Sequence, residues 1–221
     1  MASKERQRWL PLEFTAESFN TWSHSASTRP LQDCYGLDAE VLGWVKQPFK
    51  VDLRKGPTRG RRSLEEDGVE HVADIIYFKQ TIANACGTFG LLHALANAGV
   101  PLEPGYLTKL FEQCKDKTPL ERAQLLTARP TSSSGCTSKL LRAVKRLQTP
   151  DLDTQVDLHF CTFVEHKGNL IELDGRRNSP INRGRTTRNL LQDTAVRVKE
   201  IIELSNSLEF SLITLNPTPE D

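Results

Sequence analysis

The stretch NACGTFGLLHALANAG, residues 84–99, restricts the possible folds more than any other part of the chain. Apolar and small side chains stand on nearly every side of the helix it predicts, so that helix cannot lie on a surface with one wet face. It has to be covered all round, which calls for a sheet or further helices on more than one side. Gly87 and Gly90 each weaken a helix by about 1 kcal/mol relative to alanine, and what they offer in return is close approach to a neighbouring element. Asn84 is placed to serve as the N-cap and Gly99 as the C-terminal stop. Cys86 then falls in the first turn, where unpaired backbone N–H groups and the helix dipole favour a thiolate. Free cysteines are commonly ordinary buried residues. A catalytic role for Cys86 therefore needs a base, an orienting group and an oxyanion donor elsewhere in the chain.

The chain has 221 residues, 38% of them hydrophobic and 26% charged, with a net charge of +1. That size fits one sizeable core, and a single domain over residues 1–221 is expected. The balance argues against disorder and against wholesale nucleic-acid binding. No apolar run approaches the roughly 18 residues of a membrane span, and the opening MASKERQRWLPLE lacks the apolar stretch of a signal peptide. Five scattered cysteines (34, 86, 114, 136 and 161) include no C-x-x-C pair, so neither a disulfide framework nor a zinc site follows. A reduced intracellular protein is expected, cytoplasmic or nuclear. Nothing in the pattern indicates an oligomerisation seam, so a monomer is expected.

Along the chain, QRWLPLE predicts a short edge strand, TAESFNTWSHSA a short helix capped by Thr15, and LDAEVLGWV one or two helical turns. Residues 49–68, FKVDLRKGPTRGRRSLEEDG, are polar, broken by Gly and Pro, and basic between Arg54 and Arg62; a solvated loop is expected. YLTKLFEQC and PLERAQLL predict two further helices, TARPTSSSG a loop, and TSKLLRAVKRL a basic amphipathic helix packed on its own domain.

The clearest strand signal lies in VDLHFCTFVEHKGNLIELDG. With Lys167 and Gly168 at the centre of an even-membered turn, His166 pairs with Asn169 and, further along, Cys161 comes opposite Asp174. His159 then lies diagonally from Asp174 on one face, about 7–8 Å away along the backbone and within reach of long side chains. A turn longer by one residue would send the two to opposite faces. A His–Asp pair is what a thiol nucleophile needs, since the imidazole takes the proton while the carboxylate fixes the tautomer. Gln80, six residues before Cys86, can donate its amide N–H to an anionic tetrahedral intermediate beside the Cys86 backbone N–H, a kind of donor worth about 2.7–4 kcal/mol. His93 is expected to be a satisfied core histidine, His166 an exposed turn residue and Cys161 a packing residue; His24 and His71 have no partner visible in the sequence.

With that constellation in view, the sequence resembles the ubiquitin carboxyl-terminal hydrolase family of cysteine peptidases. QTIANACGTFGLLHALAN resembles the family's Gln-and-nucleophile motif, and VDLHFCTFVEHKGNLIELDGRRNSPINRG its His-and-Asp motif. QRWLPLE, DCYGLDAEVL, TPLERAQLL and EFSLITLNP resemble parts of its framework. The resemblance implies an α+β, papain-like fold, a central antiparallel sheet flanked by helices on both sides. It implies Cys86 as nucleophile, His159 as base and then acid, Asp174 as orienter and Gln80 in the oxyanion hole. The implied reaction is hydrolysis after the terminal glycine of ubiquitin or a ubiquitin-like protein, with no metal or cofactor and no nucleic-acid or membrane partner. It also implies a crossover segment over the cleft, here between about Arg129 and Asp157, and by charge sign Asp33 and Asp38 suit contacts with ubiquitin's basic tail.

The family pattern places a strongly apolar core strand ahead of the nucleophile segment, where this chain has FKVDLRKGPTRGRR. A missing strand would produce a different protein, a ubiquitin-binding relative with impaired catalysis. A papain-like peptidase with another substrate is the third reading.

Overall fold

The computed structural model describes residues 31–34 and 51–57 as strands, together with residues 74–102, 104–127, 158–205 and 210–215. The strand expected at QRWLPLE, the helices at TAESFNTWSHSA and LDAEVLGWV, the basic helix of residues 137–147 and the crossover of residues 129–157 lie outside the described residues. So do Asp38, His24 and His71.

Six strands form one antiparallel sheet: β1 (Leu31–Cys34), β2 (Val51–Pro57), β3 (Leu158–His166), β4 (Asn169–Leu173), β5 (Ile181–Arg185) and β6 (Ser211–Leu215). Their order across the sheet is β1-β6-β2-β3-β4-β5. Among the described residues there are four helices, α1 (Cys86–Asn97), α2 (Tyr106–Cys114), α3 (Pro119–Thr127) and α4 (Leu190–Ser205).

The expected loop over residues 49–68 is corrected in part by β2, which is an interior strand. Val51–Val164 through Pro57–Leu158 pair it with β3, and Asp52–Thr214 through Lys55–Ser211 pair it with β6. Ladders on both sides satisfy its backbone, and strand propensity yields to such pairing. The Val51-Asp52-Leu53-Arg54 alternation is the short period-two signal for it. Pro57 ends the strand, where a missing N–H does least harm. The catalytically impaired reading loses its motive with this strand in place.

The hairpin forms in the expected register. Thr162 pairs with Leu173 and His166 with Asn169, and the turn residues Lys167 (φ 50) and Gly168 (φ 74) are both left-handed, as a two-residue turn matched to sheet twist requires. Alternation along the strands separates two cores. Phe160, Val164, Ile171, Leu173, Ile213 and Leu215 pack with α1, α2 and α3. Cys161, Phe163 and Leu170 pack with Leu190, and Leu212 with Leu191 and Val198 of α4. The sheet is therefore covered on both faces, as the α+β expectation has it.

Every residue of α1 from Cys86 to Leu95 is buried, which is what its all-round apolarity demands. Thr162 Oγ1 on β3 donates to the Gly90 carbonyl at 2.8 Å, tying the helix to the sheet. The N-cap is Ala85, with no side-chain cap, whereas Asn84 sits one residue earlier at φ 59. Asparagine tolerates that left-handed backbone better than most residues. Gly99, at φ 70, stands just past the C-cap as expected. Helix α3 starts in a capping box, with the Thr118 N–H donating to Glu121 Oε2 at 2.8 Å and the Glu121 N–H to Thr118 Oγ1 at 3.3 Å.

Besides β2, four elements lie beyond the sequence expectations: β1, β5, β6 and α4. Helix α4 had a readable signal, because its buried residues Leu190, Leu191, Thr194, Ala195, Val198 and Ile201 recur at helical spacing. Between β4 and β5, Arg183 Nε and Nη2 donate to Glu172 Oε2 at 3.1 and 2.9 Å, with side chains 2% and 1% exposed. Removing the guanidinium strands a buried carboxylate. Arg183→Met is expected to lose about 3–5 kcal/mol of stability in urea unfolding, and Glu172→Leu/Arg183→Leu to recover most of that.

Candidate active site

The segment of residues 75–80, which leads into α1, belongs to no strand or helix. Its backbone groups have to find partners elsewhere. The Ile76 N–H donates to Asn97 Oδ1 and the Asn97 amide to the Ile76 carbonyl, both at 2.9 Å. The Phe78 N–H donates to His93 Nε2 at 3.0 Å. The Lys79 N–H donates to the Pro119 carbonyl at 3.0 Å and the Gln80 N–H to the Gly175 carbonyl at 2.7 Å. From the far side, Arg122, which is buried, donates to the Ile75 carbonyl at 3.0 Å and to the Cys114 carbonyl at 2.7 Å. Two side chains of α1 and the opening of α3 thus hold the strip that carries Gln80.

His93 is a core histidine, as expected, but it is only half satisfied: Nε2 accepts from the Phe78 N–H, whereas the buried Nδ1 has no hydrogen-bond partner among the described residues. It is fully buried, stacks on Tyr77 with ring centroids 5.0 Å apart, and has its pKa pushed down to about 4 by burial.

His159 and Asp174 make direct contact, His159 Nε2 to Asp174 Oδ1, with both residues almost completely buried. Asp174 is steadied further by the Arg176 N–H, which donates to the same Oδ1 at 3.0 Å, and by Arg177 Nε, 3.6 Å from Oδ2. The Arg177 N–H donates to the Asp174 carbonyl at 2.8 Å, closing a turn. Residue 175 is glycine at a close approach, where a Cβ would lie 3.0 Å from the Gln80 Cβ.

Cys86 opens α1 and is 8% exposed. Burial pushes its thiol up, opposed by the backbone N–H groups of Phe160, Gly87 and Cys86 itself and by the charge of Arg176. The net direction is upward, so burial outweighs the backbone N–H groups at the helix start that favour a thiolate. Gln80 Nε2 donates to the Ile82 carbonyl at 3.0 Å, one of its two protons.

The four residues singled out in the sequence converge. His159 touches Asp174; Cys86 meets β3 at Phe160, next to His159; and Gln80 is bonded to Gly175, next to Asp174. Asp33 lies in β1 opposite Ile213, away from this cluster in the sheet order. Cys161 is buried in packing, as expected, and His166 is half-buried at the end of β3 rather than fully exposed. No group of three or more His, Cys, Asp or Glu that could hold a metal ion occurs among the described residues. Tyr77, Lys79 and Arg122 were not singled out in the sequence, because their partners are main-chain carbonyls, which leave no mark in composition or spacing.

A covered antiparallel sheet with a cysteine at a buried helix start and a His–Asp pair on the adjoining hairpin defines a thiol hydrolase of papain-like architecture. The model of ubiquitin carboxyl-terminal hydrolase family 1 matches residues 9–203. Ubiquitin carboxyl-terminal hydrolase 3 of Arabidopsis thaliana is 34% identical over 230 residues, covering 97% of this chain and 96% of that one. The yeast hydrolase YUH1 of Saccharomyces cerevisiae is 27% identical over 237 residues, covering 99% and 100%. The crystal structure of the Trichinella spiralis UCH37 catalytic domain bound to ubiquitin vinyl methyl ester shares the fold, with a TM-score of 0.76, 20% identity and 96% of each chain covered. The chain belongs to the ubiquitin carboxyl-terminal hydrolases of family 1, a family of cysteine peptidases.

The neutral His93 has a consequence for stability. Folding lowers its pKa from 6.5 to about 4, so between those values the unfolded chain binds the extra proton and stability falls as pH falls. In urea unfolding across that window, His93→Gln is expected to flatten the slope by up to one proton, about 1.4 kcal/mol per pH unit. An unchanged slope would show that the buried ring does not titrate between the two states.

Proposed function

We propose that this protein hydrolyses the bond after the terminal glycine of ubiquitin, with Cys86 as nucleophile, His159 as general base and acid, Asp174 as orienter and Gln80 as oxyanion donor. The observation that carries the reading is the buried His159–Asp174 contact beside the strand residue that the Cys86 thiol meets.

The chemistry follows from the protonation states. A buried thiol of raised pKa is a poor nucleophile until a base takes its proton. With Nε2 engaged by the carboxylate, Nδ1 is the ring nitrogen that takes it. Sγ attacks the glycine carbonyl carbon, and the proton passes to the imidazole, whose positive charge Asp174 stabilises. The oxyanion is met by the Cys86 backbone N–H and the second Gln80 amide proton. Collapse of the intermediate breaks the bond to the leaving group, which departs with the proton from His159. Water, deprotonated by His159, then attacks the thioester, releasing the ubiquitin carboxylate and restoring the thiol. The N-terminal start of α1 has no side-chain cap, so its first N–H groups remain available to developing negative charge.

Ubiquitin as substrate is supported by the family and by the ubiquitin vinyl methyl ester bound to the Trichinella spiralis UCH37 catalytic domain. Asp33 and Asp38 are proposed as acidic contacts for ubiquitin's basic tail.

Purified protein is expected to be labelled by ubiquitin carrying an electrophile at its carboxyl end, and Cys86→Ala, folded by circular dichroism, to lose labelling. Asp174→Asn is expected to lower kcat for a ubiquitin C-terminal amide by on the order of 10²–10⁴. Full turnover by Cys86→Ala would sink the reading.

A further inference from the structure

Lys79 places all three of its ammonium donors on one turn. Nζ donates to the carbonyls of Arg176 and Arg177, each at 2.8 Å, and to Asn178 Oδ1 at 3.0 Å. Three donors is the whole capacity of an ammonium. The partners are main-chain and amide oxygens rather than a carboxylate, so this is not the weak surface ion pair that a lysine commonly makes.

The turn it caps begins at Asp174. Within the turn, the N–H groups of Arg176 and Arg177 already point back at Asp174, one to its side chain and one to its carbonyl. The carbonyls of Arg176 and Arg177 face the other way, and Lys79 supplies them with donors. Within its own segment Lys79 is held by its N–H to the Pro119 carbonyl. Its two flanks reach the same turn: the Gln80 N–H donates to the Gly175 carbonyl at 2.7 Å, and the Tyr77 hydroxyl contacts the Asp174 and Arg177 carbonyls. Segment 77–80 and turn 174–178 are therefore joined bond by bond.

We propose that Lys79 is a positioning residue for the reaction: its ammonium locks the Asp174 turn to the strip that carries Gln80, so that the orienting carboxylate and the oxyanion donor keep one separation. The proposal rests on the roles given to Asp174 and Gln80 above. Both roles depend on placement, because a catalytic group displaced by about 1 Å can cost on the order of a hundredfold in rate. Lysine suits this position because its ammonium is a point donor able to serve three acceptors at once. A guanidinium has donors enough, but they are fixed in a larger planar fork and cannot converge from one point on these three oxygens.

The test uses the full chain and a ubiquitin carrying a fluorogenic amide at its carboxyl end. Wild type, Lys79→Met, Lys79→Arg, Asn178→Ala, Asp174→Asn and Lys79→Met/Asp174→Asn are compared in kcat, KM, the pH profile of kcat/KM and thermal unfolding. Lys79→Met is expected to lose ten- to a hundredfold in kcat, an order set by misplacement, with KM little changed. The acidic limb of its kcat/KM profile should move to lower pH, because an imidazolium less well held by its carboxylate is a stronger acid. Lys79→Arg should not rescue kcat. The double variant should fall no further than Asp174→Asn alone, since Lys79 acts through Asp174. Asn178→Ala removes one acceptor from an exposed position and should shift kcat and the limb in the same direction by less, which keeps the test open if Lys79→Met does not fold.

Losses that add in full in the double variant overturn the proposal. So does a lowered melting temperature with unchanged kcat and pH profile, which would make Lys79 part of the scaffold. A wild type that neither turns over the amide nor labels at Cys86 overturns the functional reading beneath it, and that failure is distinguished by being visible without any Lys79 variant.

Discussion

The burial of α1 is the constraint on which the rest of the structure depends. A helix apolar on every side has to be covered by the sheet on one flank and by α2, α3 and the strip of residues 75–80 on others. That cover removes water from the helix start, where Cys86 sits. Desolvation then works on the Cys86 thiol: burial pushes its pKa up, against the N–H groups at the helix start that favour its anion. A thiol held in this way needs a base to give up its proton, and the buried His159–Asp174 pair lies on the adjoining hairpin.

The same burial explains why so much of the polar machinery works through main-chain groups. The strip of residues 75–80 has no strand partner, and every unmatched N–H and C=O within it would be costly. Asn97 and His93 answer from α1, Arg122 from α3, and the turn of residues 174–178 from the hairpin. These bonds bring Gln80 and Asp174 together although 94 residues of sequence separate them. Gly175 completes the arrangement, since a Cβ there would press against the Gln80 Cβ at 3.0 Å.

The hairpin and the helix were legible because their determinants are local. Turn length and strand alternation set the register that puts His159 near Asp174, and the periodicity of residues 84–98 marks a buried helix whatever lies around it. Helix α4 was legible in principle from its spacing. Strand β2 was not, because a short basic run broken by Gly56 and Pro57 becomes a strand only when β3 and β6 offer ladders on both of its edges. The buried Glu172–Arg183 pair was hidden for a similar reason: two charges eleven residues apart carry no sign of burial until two strands and a helix enclose them.

By itself, then, the sequence pointed to the class of chemistry and placed a cysteine at a helix start, a strand histidine and a carboxylate across an even turn, since each is specified by neighbours in the chain. Only the tertiary structure decided the state and aim of those groups. Whether Cys86 is a thiol or a thiolate depends on how much water is excluded, whether Asp174 faces His159 depends on the turn that Lys79 and Tyr77 grip, and whether residues 51–57 form a strand depends on their two partners in the sheet. The physical reason is common to all three: desolvation and hydrogen-bond satisfaction are properties of an enclosure, and no stretch of chain encloses itself.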